Sequence, residues 1–156
     1  MKKLYFLFFL VFGLNANAQI VNIPDANFKA KLLQASPSSS IAYNAAGTRI
    51  KIDTNNDGQI QYSEALTVHY LSVNFSSIQN MTGIEAFLNL ERLFCIGNQL
   101  TSLNVTQNTA LKILSCGSNN LTSLDVFQNT ALENLTCSYN PLMSLDVTQN
   151  TALISL

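Results

Sequence analysis

The feature that most constrains this chain is a repeat with a period of 21 residues that begins at Leu90 and continues to Leu156. Three copies follow one another in register, namely LERLFCIGNQLTSLNVTQNTA, LKILSCGSNNLTSLDVFQNTA and LENLTCSYNPLMSLDVTQNTA, and LISL begins a fourth. A fixed period of this length is typical of solenoids, in which each repeat forms one coil and packs against its neighbours. We therefore expect a stack of coils.

Each copy spells L-x-x-L-x-C-x-x-N-x-L-x-x-L-x-V. Within L-x-x-L-x-C, apolar and mostly polar residues alternate, which predicts a short strand with one buried face, and stacked coils place such strands side by side in a parallel sheet. The pattern resembles the leucine-rich repeat, with cysteine at a position where that family usually has leucine. The resemblance implies an α/β-type solenoid built on a parallel β-sheet.

Two polar or reactive columns of the repeat have structural interpretations. Asn98, Asn119 and Asn140 follow the strand, where a buried amide bonds the turning backbone of its own and the neighbouring coil.

The cysteines occupy an inward column in place of leucine, which predicts small buried hydrophobes. The alternative is a disulfide between neighbouring coils with one thiol left over, since exported proteins meet oxidising conditions. This second column comprises Cys95, Cys116 and Cys137.

The first 18 residues have the three parts of a secretory signal. Met1–Lys3 is positively charged, Leu4–Leu14 is almost wholly apolar, and Ala16-Asn17-Ala18 is a small-residue cleavage site. The pattern predicts cleavage before Gln19 and a protein that is secreted or held at the cell surface; a buried N-terminal helix is the alternative. No cysteine follows the cleavage site, so nothing indicates a lipid anchor.

The charge balance excludes some partners. The full chain has 8 Lys and Arg residues and 9 Asp and Glu residues. Removal of Lys2 and Lys3 with the signal leaves six basic and nine acidic residues, a net charge of −3, without a basic cluster. Such a balance disfavours nucleic acid and anionic membranes as partners.

The sequence pattern of residues 19–67 predicts an N-terminal cap. Pro24 precedes a short amphipathic helix with Asp25 at its start and Phe28 and Leu32 on one face. A helix there covers the first coil, which has no neighbour on that side. Residues 36–47 are rich in Ser, Asn, Ala and Gly and predict a loop, and residues 48–52 alternate like a strand.

Residues 53–64 carry the one motif with specific chemistry. Oxygen-bearing side chains fall at positions 1, 3, 5, 9 and 12, glycine (Gly58) at 6 and a hydrophobe (Ile60) at 8 of this twelve-residue loop. A hard divalent cation takes six to eight oxygen ligands, which this spacing can supply. The candidate metal ligands are Asp53, Asn55, Asp57, the backbone carbonyl of Gln59, Gln61 and, with two oxygens, Glu64.

This loop resembles the calcium loop of EF-hands, and as a solitary loop it is similar to those of dockerin-like extracellular proteins. The segment before it reads as strand and loop, not as helix, and the sequence has no second such loop. The cofactor that the resemblance implies is calcium, with a structural role in fastening the cap to the first coil. The alternative is an Asx-rich turn that binds no metal.

Residues 68–156 are predicted to form about four coils and a further strand. Val68, Leu71 and Val73 align with Leu90, Leu93 and Cys95 at a spacing of 22, so the first coil has one extra residue near Gly83-Ile84. The cap motif IPDANF, the calcium loop and the repeat motifs LTSLDV and QNTAL together resemble bacterial secreted leucine-rich-repeat surface proteins of the internalin-like kind. This resemblance covers the whole chain after the signal.

In leucine-rich repeats, outward-facing strand residues line a concave face, so the resemblance implies a surface for a protein or glycan ligand. An exposed cluster of aromatic residues with arginine is a common composition of binding hot spots. The candidate partner-binding residues are Tyr70, Arg92, Phe94, Ile96, Ile113 and Tyr139. Scattered exposed apolar residues without a function are the alternative.

No catalytic constellation is evident, since the only histidine, His69, has no matching Ser, Cys or Asp pattern. We therefore expect an adhesion or ligand-binding module and not an enzyme. The competing hypothesis is a passive stalk that spaces a further domain from the cell. Because the sequence stops within a predicted strand at Leu156, we also expect that more repeats or an anchoring domain follow.

Overall fold

The computed structural model describes residues 19–156, so the predicted export signal, residues 1–18, lies outside the described range. Five strands form one sheet in the order β1-β2-β3-β4-β5. None of the helices between residues 19 and 156 is long and apolar enough to cross a membrane. In chain order the elements are α1 Ala26–Leu33, β1 Ala42–Tyr43, α2 Tyr62–Ala65, β2 Tyr70–Ser72, a 3-10 turn Ile84–Ala86, β3 Arg92–Phe94, β4 Ile113–Ser115 and β5 Asn134–Thr136.

Strands β2 to β5 are parallel and contribute one strand per coil. Leu71 lies opposite Leu93, Leu93 opposite Leu114, and Leu114 opposite Leu135. These four side chains are at most 1% exposed, so the middle residue of each strand belongs to a continuous core. The leucine-rich-repeat solenoid predicted from the 21-residue period is thereby confirmed.

The extra residue of the first coil accommodates the N-terminal segment. Gly83 has φ +103°, and a Cβ at this position would lie 2.7 Å from Cγ1 of Ile23 and 2.8 Å from the carbonyl oxygen of Asn22. Only glycine therefore fits here, both because of the positive φ and because of this close approach. The cap and the first coil are consequently packed together at Gly83.

The predicted asparagine column forms a hydrogen-bonded ladder. Nδ2 of Asn119 donates to the carbonyl oxygens of Cys95, one coil back, at 3.0 Å and of Cys116, in its own coil, at 2.9 Å. Its Oδ1 accepts the N–H of Leu100 at 3.1 Å. Asn98 and Asn140 make corresponding bonds, so each amide joins two coils.

A second asparagine ladder lies on the far side of each coil, where the sequence pattern QNTA recurs. Asn108, Asn129 and Asn150 are at most 3% exposed. Nδ2 of Asn129 donates to the carbonyl oxygens of Val105 at 3.0 Å and of Asn108 at 2.8 Å, both in the preceding coil. Two rows of buried amides therefore hold successive coils in register.

The three cysteines stack in the core as free thiols. Cys95 and Cys116 are buried, and Cys137 is half-buried. Burial raises the pKa of the Cys116 thiol to about 12 and raises that of Cys95 well above its usual value. The column thus supplies protonated thiols that pack as small hydrophobes, as its inward position predicts.

The cap follows the prediction for its helix but not for its strand. Helix α1 begins after its N-cap Asp25, and Phe28 and Leu32 are fully buried. The sequence predicts a loop over residues 36–47, whereas the structure has β1 there, paired antiparallel with β2. Residues 48–52, predicted as a strand, make only an isolated bridge at Arg49, which lies opposite Tyr43 of β1, and the side chain of Ile52 is fully buried.

The Asn119 ladder generates a stability prediction. Replacement of Asn119 by Ala should lower the free energy of unfolding by about 2 to 3 kcal/mol, because two buried carbonyl groups lose their donor. The matched control is Asn120→Ala at the exposed neighbouring position, which should change stability by less than about 0.5 kcal/mol. Urea unfolding followed by circular dichroism measures both, and equal effects of the two substitutions would contradict the ladder's role.

Candidate functional site

The candidate metal loop, residues 53–64, connects the cap to the first coil, and α2 begins within it. Asn56 and Gly58 have φ values of 62° and 73°, so the backbone takes left-handed turns at the positions where an EF-hand-type loop bends. Asp53 and Glu64, at the two ends of the motif, are 7% and 5% exposed. The loop is therefore folded inward around its end residues.

Asp53 organises the first half of the loop. Its Oδ1 accepts the N–H of Asp57 at 3.2 Å, and its Oδ2 accepts the N–H of Gly58 at 3.2 Å. Asp57 in turn accepts the N–H of Gln59 at 2.7 Å. That N–H holds the pKa of the Asp57 carboxyl below its usual value.

Three of the predicted ligands are in direct contact. The amide groups of Asn55 and Gln61 donate to Oδ2 of Asp57 at 2.9 and 2.8 Å. Nδ2 of Asn55 also lies 3.4 Å from Oε1 of Gln61. The NH₂ groups of the two side chains therefore lie beside Asp57. A bound cation would contact the amide oxygens of the same two side chains.

Glu64 connects the end of the loop to its beginning. Its Oε1 accepts both the N–H and the hydroxyl of Thr54 at 2.7 Å. Its Oε2 accepts the N–H of Gln61 at 3.1 Å. Both carboxylate oxygens therefore face the loop, at the position from which an EF-hand glutamate binds with two oxygens.

The side chain of Gln59 turns away from the loop and accepts a hydrogen bond from Nζ of Lys29 at 2.7 Å. Its backbone carbonyl is the atom that the motif assigns to a metal. Within residues 19–156, no three His, Cys, Asp or Glu side chains converge into a metal site by themselves. The loop's donor set combines carboxylates with amide and backbone oxygens, and that chemistry fits calcium.

The N-terminal segment pairs with this loop, which the sequence pattern did not reveal. The N–H of Val21 donates to the carbonyl of Ile60 at 2.8 Å, and the N–H of Tyr62 donates to the carbonyl of Gln19 at 2.9 Å. Ile60 is at position 8 of the motif. Its backbone is therefore covered by the chain's own N-terminal segment.

Asp25 fastens the cap to the first coil. Its Oδ1 accepts the N–H of Phe28 at 2.8 Å as the N-cap of α1, and its Oδ2 accepts the N–H groups of Gln79 and Asn80 at 2.8 and 3.0 Å. Burial raises the pKa of this carboxyl, but the N–H donors outweigh burial and hold the pKa below 3.8. One carboxylate thus caps a helix and anchors a turn of the solenoid.

Four of the predicted partner-binding residues lie together on the outward face of the sheet. Tyr70 lies opposite Arg92 in the strand register, and Arg92 lies opposite Ile113. The rings of Tyr70 and Phe94 are 5.2 Å apart. The two strands β2 and β3 therefore carry a contiguous aromatic and arginine surface.

The other two predicted residues lie at the rim. Ile96 follows the end of β3 and is half-buried, with its N–H bonded to Oδ1 of Asn74 at 2.7 Å. Tyr139 lies in the turn after β5, is 86% exposed and has φ 57°. Because two strands, β3 and β4, lie between its coil and that of Tyr70, Tyr139 is outside the cluster.

Two residues of the cap extend the cluster, and the sequence analysis missed them. Tyr43 on β1 lies opposite Tyr70, with its ring 4.6 Å from that of Tyr70 at an angle of 75°. The Arg49 guanidinium lies 6.0 Å from the centre of the Tyr43 ring. The available signal was the Asn44–Gly47 turn between two short apolar stretches, which is a hairpin pattern.

The parallel sheet, the stacked asparagines and the helical cap define a leucine-rich-repeat protein of internalin-like fold. The functional domain of InlJ from Listeria monocytogenes, described as including a cysteine ladder, matches 88% of this chain with a TM-score of 0.70 and 36% identity. An internalin (inlF) and an internalin C2 (inlC2) of the same organism match with TM-scores of 0.61 and 0.60 over 92% and 88% of the chain.

The identities to inlF and inlC2 are 20% and 18%, so these two similarities support the fold alone. The chain spans 28%, 46% and 66% of the length of the three structures, in the order given. No protein-family model matches the chain, and no curated protein matches it. The InlJ domain is thus described by a feature of the same kind as the column of Cys95, Cys116 and Cys137 in this chain.

The position of Asp25 predicts a pH-dependent contribution to stability. Because its folded-state pKa is lowered, the stability it contributes is present above the unfolded-state pKa of about 3.9 and is lost as the pH falls through the folded-state value. Asp25→Ala should cost about 1 to 2 kcal/mol at neutral pH. Denaturant unfolding should show this difference shrinking at acid pH. Asp25→Asn keeps a hydrogen-bond acceptor but no charge, so it should lose less stability than Asp25→Ala, and its stability should depend little on pH. If the stability lost in Asp25→Ala is the same at all pH values, the role assigned to the Asp25 carboxylate is wrong.

Proposed function

We propose that this chain is an exported, non-catalytic protein-binding module that recognises its partner through the concave face. The observation that carries the proposal is the side-chain cluster over β1, β2 and β3. Tyr43, Tyr70 and Phe94 follow one another at ring distances of 4.6 and 5.2 Å, and Arg92 extends beside them into solvent. Aromatic residues and arginine are the side chains most enriched in binding hot spots.

The fold itself does not require this composition. The core of each coil is formed by the inward residue of the strand, such as Leu71 or Leu93, whereas the cluster is on the opposite face. In β5 the equivalent positions are Asn134 and Thr136, which serve the same backbone without aromatic or apolar side chains. A passive stalk, the competing function, needs only such polar residues.

The similarity to internalins supports an adhesion or interaction role. The InlJ structure is described as a functional domain, and this chain matches 28% of its length. The export that we propose rests on the signal pattern of residues 1–18. Secretion or surface display would place the concave face where it can meet an extracellular protein.

We further propose that residues 53–64 bind calcium with a structural role. Asp53, Asn55, Asp57, Gln61 and Glu64 would supply side-chain oxygens, and Gln59 its backbone carbonyl. The cation would neutralise three carboxylates that otherwise repel one another between the cap and the first coil. Support comes from the left-handed turns at Asn56 and Gly58 and from the inward-facing carboxylates of Asp53 and Glu64.

Calcium should therefore stabilise the protein. A solitary loop of this kind should bind with a dissociation constant of about 10⁻⁴ to 10⁻³ M. At a few millimolar calcium, the free energy of unfolding should rise by about 1 to 2 kcal/mol and the melting temperature by a few degrees. Thermal unfolding in calcium and in chelator measures the shift, and limited proteolysis should show protection of residues 47–67.

Asp53→Ala and Glu64→Gln should remove the calcium-dependent shift. Glu85→Gln, which changes a carboxylate outside the loop, is the matched control and should keep it. If the wild-type protein melts at the same temperature in calcium and in chelator, the loop is an Asx-rich turn and the calcium assignment is wrong.

The concave-face proposal predicts selective loss of binding. The double substitution Phe94→Ser and Ile113→Ser should weaken binding to an extracellular protein partner by at least about tenfold, because it removes the apolar centre of the face. Screening against an array of extracellular proteins, followed by surface plasmon resonance, measures the effect.

The matched control is Phe127→Ser, which removes an aromatic residue that is 53% exposed but lies outside the strands. Melting temperatures of all variants show whether folding is retained. If the wild-type protein binds no partner, or if both variants bind as the wild type does, the passive-stalk function is favoured.

A further inference from the structure

The side of the concave face nearest the cap has a pocket of about 340 Å³. The turn of the cap hairpin forms one wall, and the starts of β2 and β3 form the other. Pockets that bind small ligands range from about 300 to about 1,000 Å³, so this one has room for one or two side chains. Its lining residues include Tyr43, Asn44, His69, Tyr70, Glu91 and Arg92.

The charge around the pocket differs from the charge of the rest of the chain. Residues 19–156 carry nine acidic and six basic residues, yet three of the basic ones, Arg49, Arg92 and Lys112, lie in or beside the pocket. The lining contains one carboxylate, Glu91. Nζ of Lys112 lies 2.8 Å from Oε2 of Glu91, and Nδ1 of His69 lies 3.3 Å from Oε1.

Glu91 is therefore already compensated. The hydrogen bond from Lys112 and, to a smaller extent, that with His69 hold the pKa of Glu91 below its usual value, so it remains a carboxylate engaged with its own neighbours. The negative charge of Glu91 is therefore not paired with Arg49 or Arg92. Among the described residues, neither Arg49 nor Arg92 forms an ion pair with a carboxylate.

Both arginines neighbour aromatic residues, and Arg49 is bonded to one of them. Nε of Arg49 donates to the hydroxyl of Tyr43 at 3.4 Å while its guanidinium faces the Tyr43 ring. Arg92 lies opposite Tyr70 in the strand register. An arginine presents a planar set of donors that matches a carboxylate with two parallel hydrogen bonds.

From this arrangement we infer that the pocket binds an acidic segment of the partner protein, with an aromatic or aliphatic side chain against the packed rings of Tyr43 and Tyr70 and an adjacent Asp or Glu on Arg92. The inference rests on the proposed protein-binding function and specifies the chemistry of the ligand. Charge complementarity carries it, because unpaired arginines on an otherwise acidic molecule attract a carboxylate. A neutral glycan would make no use of this charge.

Selection of random-sequence peptides on the full chain tests the inference. The enriched peptides should contain Asp or Glu next to an aromatic or aliphatic residue. Their affinity should fall at least about tenfold in Arg92→Glu, and less in Arg92→Lys, which keeps the charge but loses the planar donors. Affinity should also fall as ionic strength rises, since the arginines are exposed.

Lys31→Glu is the matched control, because it makes the same change in net charge on α1, outside the pocket lining. It should leave peptide affinity unchanged. Melting curves show whether each variant is folded, and both arginine variants should fold because Arg92 is exposed and has no ion pair within residues 19–156.

The inference is overturned if the enriched peptides lack acidic residues or if Arg92→Glu binds them as tightly as the wild type does. Peptides that lose affinity in the Phe94→Ser, Ile113→Ser variant but not in Arg92→Glu would leave the concave-face function standing and refute the acidic ligand. Binding to arrayed glycans without any peptide binding would also refute it.

Discussion

The backbone groups at the turn after each strand set the main constraint on this molecule. A coil with a three-residue strand must bend at once, and the bend leaves carbonyl groups inside the protein, where an unpaired one is costly. Asn119 solves this by donating to the carbonyls of Cys95 and Cys116 together. Because one amide bonds two coils, the coils cannot slip relative to each other. The register of the sheet, and with it the composition of the concave face, follows from these buried amides.

The cap gives this register a defined beginning. Asp25 holds the start of α1 against the turn at Gln79 and Asn80, and the N-terminal segment lies between the metal loop and Gly83. The metal loop is part of the same joint, since Lys29 of α1 contacts Gln59. A cation bound there would stabilise the junction between cap and solenoid. The contacts that recur from coil to coil do not extend across this junction. The role that we propose for calcium is therefore structural and not catalytic.

The same junction forms the binding surface that we propose. Strand β1 adds an antiparallel strand to the sheet, so Tyr43 joins the aromatic residues of the first two coils. The cap therefore protects the core on one side and contributes a pocket wall on the other. The function that we propose is concentrated near the cap because there the chain departs from its repeat, and non-repeated side chains can converge.

The repeat by itself determined the solenoid, the parallel sheet and the inward cysteine and Asn119 columns, because stacking identical coils converts a sequence period directly into spatial neighbours. Local patterns likewise predicted helix α1 with its Asp25 cap. For the candidate face they predicted Tyr70, Arg92, Phe94 and Ile113. Only the tertiary structure decided the pairing of β1 with β2, the approach of Tyr43 and Arg49, and the pairing of residues 19–21 with the candidate metal loop. These contacts join segments that share no period, so the repeat does not encode them, and they form only when the cap folds and packs against the first coil.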